Sequence, residues 1–66
     1  MKAALRTARI RSGLTQKDLA EAIGKYQPWV SFVENGRMLP TKSEAAEISK
    51  VLRVETDELF ERYADQ

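Results

Sequence analysis

The chain has 66 residues, enough for one small domain, because a chain of this length buries only about 60% of the surface that its unfolded form exposes. We therefore expect residues 1–66 to form a single domain. Hydrophobic residues make up 42% of the chain and charged residues 32%, a composition typical of a globular protein with a well-solvated surface. The longest apolar run has three residues, against the roughly 18 that a transmembrane helix needs, so we expect no membrane insertion.

The chain contains no cysteine and no histidine. This excludes disulfides, thiolate nucleophiles, imidazole bases and the usual zinc ligand sets. The carboxylates and serines that remain have no base or metal ligand set to activate them, so we expect no enzyme, no metal and no cofactor. The lack of cysteine is compatible with a reducing compartment, and we expect a cytoplasmic protein.

Charge is distributed unevenly along the chain. Residues 1–42 contain eight Lys/Arg and three Asp/Glu, a net charge of +5, whereas residues 43–66 contain three and seven, a net charge of -4. A basic half suggests a polyanionic partner. Random scatter of charges over a solvated surface explains the same numbers equally well. Charge alone therefore does not distinguish a polyanion-binding surface from an ordinary solvated one.

Two short helices are predicted at the start of the chain. The first covers residues 2–11 and ends at Ser12-Gly13, because glycine readily takes the left-handed conformation that ends helices. The second covers residues 16–23. Thr15 provides its N-cap, and Asp18 completes a capping box three residues later.

A third helix follows after a turn of three residues that begins with Gly24. Val30 and Val33 mark its inner face, and Asn35-Gly36 marks its end. Two short helices joined by such a turn are typical of the helix-turn-helix, whose second helix enters the DNA major groove. This motif is predicted over about residues 15–35.

A fourth helix is predicted over residues 41–52, with Thr41 and Glu44 as a second capping box. A fifth is predicted from Thr56, Leu59, Phe60 and Tyr63. Either Glu55 or Thr56 could cap it. We expect some of its apolar side chains to complete the core and the others to form a homodimer contact. No segment shows the alternation typical of a strand.

The order and spacing of these motifs resemble one family throughout the chain. The matching segments are Leu5-Arg6-x-Ala8-Arg9, Gly13-Leu14-Thr15-Gln16-x-x-Leu19-Ala20, Gly24, Val30-Ser31-x-Val33-Glu34-Asn35-Gly36 and Pro40. They resemble the Cro and phage-repressor type of helix-turn-helix proteins. The resemblance implies an all-α, compact five-helix bundle and sequence-specific binding to double-stranded DNA, usually as a homodimer on a palindromic operator.

Candidate DNA contacts fall into two groups. The amide of Gln27 can donate and accept hydrogen bonds, as readout of adenine requires, and Ser31 lies one turn later. The base-reading candidates are Gln27, Pro28, Ser31 and Phe32. The backbone candidates are Gln16, Lys17, Lys25, Asn35, Arg37 and Lys42. The resemblance implies the role of Gln16, and each cation could equally be a solvated surface residue.

Arg9 and Glu34 match family positions that pair between the first helix and the end of the third. The resemblance therefore implies a structural ion pair that orients the third helix. If the pair is buried, loss of either partner would cost several kcal/mol.

Two positions depart from the family pattern. Tyr26-Gln27-Pro28 stands where Ser or Thr usually caps the third helix, and proline biases the preceding residue away from helical angles. The third helix is predicted over about residues 27–35. Pro28 is an alternative start, which would shift the base-reading register by about one residue. Arg53 replaces the usual glycine after the fourth helix, at a modest conformational cost.

The leading hypothesis is a transcriptional regulator, a repressor that inserts the third helix into the major groove. The alternative is a protein-interaction module, an antitoxin or adaptor, with a partner such as a toxin or anti-repressor. Its apolar contact surface would be built from Trp29, Phe32, Met38 and Leu39. Phe32 fits both hypotheses, because its ring could read thymine methyl groups or belong to the protein-contact surface.

Overall fold

The computed structural model describes residues 4–60. In this part of the chain there are five helices and no strand: α1 (Ala4–Arg11), α2 (Gln16–Ala22), α3 (Gln27–Glu34), α4 (Lys42–Leu52) and α5 (Thr56–Leu59). The expected all-α five-helix bundle is confirmed. The predicted start of the first helix at residue 2, and Tyr63 in the fifth, lie outside the described residues.

Both predicted capping boxes are present. Asp18 N donates to Thr15 Oγ1 at 3.0 Å, and Thr15 N donates to Asp18 Oδ2 at 2.9 Å. Thr41 and Glu44 repeat this arrangement at the start of α4. The backbone N–H of Thr15 favours the ionised carboxylate and lowers the pKa of Asp18.

The third helix begins at Gln27, as predicted for about residues 27–35, and the alternative start at Pro28 is wrong. Tyr26 is the N-cap, with φ -106° and ψ 156°, and α3 begins at Gln27. Pro28 thus occupies the second helical position, where its missing N–H would have had no partner within the helix. The steric bias against a helical residue before proline is a preference that the burial of the α3 inner face overrides. Gln27 therefore belongs to the first turn of α3.

The core is formed by the inner faces of all five helices. α2 packs mainly against α3, and Ala20 is small where α3 crosses it. The residues of this core are Leu5, Leu19, Ala20, Val30, Val33, Ala45, Ile48, Leu52, Leu59 and Phe60. Leu59 and Phe60 thus complete the core, as expected for part of the fifth helix, and are not available for a dimer contact.

The end of α4 is tight despite the missing glycine. Arg53 has φ 60° and ψ 41° and is the one non-glycine residue with positive φ among residues 4–60. This left-handed conformation costs roughly 1–2 kcal/mol for a residue with a Cβ atom. Arg53 N donates to Ser49 O at 2.7 Å.

Glu55, and not Thr56, is the N-cap of α5, although its side chain makes no capping hydrogen bond.

None of the described helices is long and apolar enough to span a membrane.

Candidate nucleic-acid interface

The turn between α2 and α3 sets the angle at which α3 is presented. Gly24 has φ +73°, a left-handed conformation that a side chain would strain. Lys25 N donates to Ala20 O at 2.8 Å and so ties the turn to α2. Val30 and Val33 anchor α3 in the core, which leaves its opposite face outward.

The four base-reading candidates occur together on that outward side of α3. Gln27 and Pro28 are exposed, and Phe32 retains 41% of its accessible surface. Ser31 is half-buried, and its Oγ accepts a 3.4 Å hydrogen bond from Asn35 Nδ2. Because positions separated by four residues lie above one another on a helix, these side chains form one surface.

Arg9 and Glu34 form a buried ion pair beneath this surface. Arg9 Nε donates to Glu34 Oε2 at 2.5 Å, and the two side chains retain 10% and 3% of their accessible surface. Arg9 Nη1 also donates to Leu14 O at 2.7 Å. One guanidinium thus joins α1, the loop before α2 and the last turn of α3.

The same carboxylate continues a polar chain to the outer surface. Gln16 Nε2 donates to Glu34 Oε1 at 2.9 Å, and Gln27 Nε2 donates to Gln16 Oε1 at 3.4 Å. Gln16 is half-buried, so it is not simply a solvated residue in a first turn. The sequence indicated both glutamines separately but gave no sign that they contact each other.

Lys25 is held by another part of the protein. Its Nζ lies 2.6 Å from Glu44 Oε2 and 5.0 Å from the centroid of the Trp29 ring. Glu44 Oε1 accepts from Thr41 N at 2.9 Å in the capping box. The hydrogen bond from Lys25 is the main cause that lowers the pKa of Glu44, and the hydrogen bond from Thr41 N lowers it further. Sequence reasoning assigned Glu44 only the cap and missed its pairing with Lys25.

Three other backbone candidates present free cations. Lys17, Arg37 and Lys42 are exposed, and their side chains form no ion pair with another residue between 4 and 60. Arg37 directly follows the end of α3, where its backbone N–H donates to Phe32 O at 2.8 Å. Lys42 is the first residue of α4.

The proposed apolar contact surface is only partly present. Phe32, Met38 and Leu39 are 41%, 40% and 49% exposed. Trp29, however, is half-buried, packs against the core and has the Lys25 ammonium over its ring. Trp29 therefore helps to pack α3 against the core and contributes little to an exposed apolar surface.

Comparison with known proteins gives a family and one informative relative. A helix-turn-helix family model matches residues 5–59. A protein of Archaeoglobus fulgidus named as an uncharacterized HTH-type transcriptional regulator is 30% identical over 60 residues, which cover 91% of this chain and 86% of that protein. No solved structure matches the chain significantly. The family match covers the motif and, except for Ala4, all five helices. The chain belongs to the XRE-type helix-turn-helix family that its motifs resemble.

Proposed function

We propose that this protein is a sequence-specific DNA-binding transcriptional regulator that inserts α3 into the major groove and acts as a repressor. The observation that carries the proposal is the outward side of α3, where Gln27 and the Phe32 ring are both exposed. Amide groups pair with adenine edges in the major groove, and apolar groups pack on thymine methyls. The printed name of the A. fulgidus relative supports the same class of function.

Exposed cations beside this face supply the expected backbone contacts. Lys17 lies on α2, Arg37 follows α3, and Lys42 begins α4. Phosphate contacts from separate elements fix the register of a reading helix without specifying sequence. Gln16 and Asn35 remain further backbone candidates, but their side chains already bond within the protein.

Salt dependence tests the electrostatic part of the proposal. Three phosphate contacts per subunit, about six per dimer, imply a slope of roughly -5 in a plot of log affinity against log salt concentration. Arg37→Ala or Lys42→Ala removes two contacts per dimer and should make the slope shallower by about 1.8. Titration of a fluorescent duplex at several salt concentrations measures this. A nearly flat salt dependence of the wild-type protein would contradict DNA binding.

The proposed regulator binds as a homodimer on a palindromic operator. Two-fold symmetry would then separate the two copies of α3 by about 34 Å, one turn of DNA. Selection of bound duplexes from a random pool tests sequence specificity and symmetry together: we expect an enriched palindrome. Enrichment of a single half-site would contradict the dimer, and no enrichment would favour the protein-interaction module.

A further inference from the structure

We propose that Glu44 is a built-in competitor of DNA phosphate for Lys25, so that the ion pair between them limits the affinity of the domain for DNA. The inference rests on the proposed DNA-binding function. It concerns Lys25, the one cationic backbone candidate that forms an ion pair within the described part of the protein, with a carboxylate of α4.

The position of the pair supports this role. Lys25 lies in the turn between α2 and α3, two residues before Gln27, the first residue of the reading helix. Glu44 lies in the first turn of α4, two residues after the exposed Lys42. The pair is thus at the edge of the surface that phosphates would approach.

The chemistry of the pair makes competition possible. Carboxylate and phosphate oxygens accept the same charge-assisted hydrogen bonds from an ammonium group. The Lys25 and Glu44 side chains retain 31% and 25% of their accessible surface, and partly exposed pairs are worth only about 0.2–1 kcal/mol. The pairing is therefore weak enough to influence binding without preventing it.

The Glu44 carboxylate is also fixed in position by hydrogen bonds. Its Oε1 accepts from Thr41 N in the capping box, while Oε2 accepts from Lys25. The cap keeps the carboxylate at the start of α4. Contact of Lys25 with the Trp29 ring restricts the lysine from the other side.

Glu44→Gln tests the proposal with little risk to the fold. Glutamine replaces glutamate in capping boxes, so the hydrogen bond from Thr41 N is retained. Glu47→Gln is the matched control: Glu47 is exposed one turn further along α4 and forms no ion pair with another described residue. Both variants remove one negative charge from α4, but only Glu44→Gln releases Lys25.

The measurement is binding to a random-sequence duplex over a range of salt concentrations, because phosphate contacts do not depend on sequence. Relative to Glu47→Gln, we expect Glu44→Gln to bind about 1.4- to fivefold more tightly per subunit, the range that corresponds to a partly exposed ion pair. We also expect its salt slope to be steeper by about 0.9 per subunit.

A Lys25→Ala background separates the proposed competition from a general charge effect. In this background, Glu44→Gln and Glu47→Gln should have equal effects, and Lys25→Ala alone should change the wild-type slope little. If both glutamine variants have the same affinity and slope when Lys25 is present, the competition is refuted while DNA binding stands. If the wild-type protein binds no duplex, the proposed function itself fails, and this inference with it.

Discussion

Glu34→Ala is expected to unfold most of the protein at 25 °C. The substitution leaves the Arg9 guanidinium in the interior, where its side chain retains only 10% of its accessible surface, without the carboxylate that neutralises it. Loss of one partner from a buried ion pair costs about 3–5 kcal/mol. A domain below about 70 residues rarely gains more than 3–5 kcal/mol from its core. The expected loss is therefore as large as the free energy of unfolding of the whole domain.

Circular dichroism and urea unfolding measure the effect. We expect loss of most of the helical signal for Glu34→Ala, whereas Glu47→Ala on the exposed face of α4 should change stability by no more than about 0.5 kcal/mol. The double variant Arg9→Met/Glu34→Met should recover much of the signal, because apolar residues of similar volume replace the pair without leaving a buried charge. A Glu34→Ala protein with the wild-type urea midpoint would contradict the structural role of the pair.

The sequence predicted local features well where the interacting atoms are close along the chain. Thr15 with Asp18 and Thr41 with Glu44 are three residues apart, so a capping box needs only the right residues at the right spacing. The start of α3 was less well determined by local rules, because the conformational bias of a residue before proline left both Gln27 and Pro28 open as the first helical residue. The structure places the start at Gln27.

Contacts between helices could not be read from spacing. Arg9 and Glu34 are 25 residues apart, and only the family resemblance indicated that they pair. Lys25 and Glu44 are 19 residues apart and lie on different elements, and no local pattern indicates their contact. Lys25 was accordingly predicted as a phosphate contact from its charge and its place beside α3, and the structure adds the competing carboxylate.

Phe32→Ala is expected to weaken binding to operators that contain thymine at one position by about 1–3 kcal/mol, the scale of a single base-pair preference. The ring is 41% exposed on the outward side of α3, one turn after Pro28. It cannot hydrogen-bond to a base edge, so its contribution in the groove must come from packing on a thymine methyl or from exclusion of water. Other operator positions should change little.

Duplexes in which uracil replaces thymine separate these contributions, because uracil lacks only the methyl group. Wild-type protein should lose affinity on the uracil duplex, and Phe32→Ala should bind both duplexes equally weakly. Ile10→Ala is the matched control, because Ile10 is an exposed apolar residue on α1 rather than α3, and its affinity for both duplexes should remain that of the wild type. If the Phe32→Ala substitution lowers affinity by the same factor, relative to the wild-type protein, on the thymine duplex and on the uracil duplex, methyl reading is wrong. If it loses none on either, the ring belongs to a protein-contact surface with Met38 and Leu39, where a buried aromatic would anchor a partner.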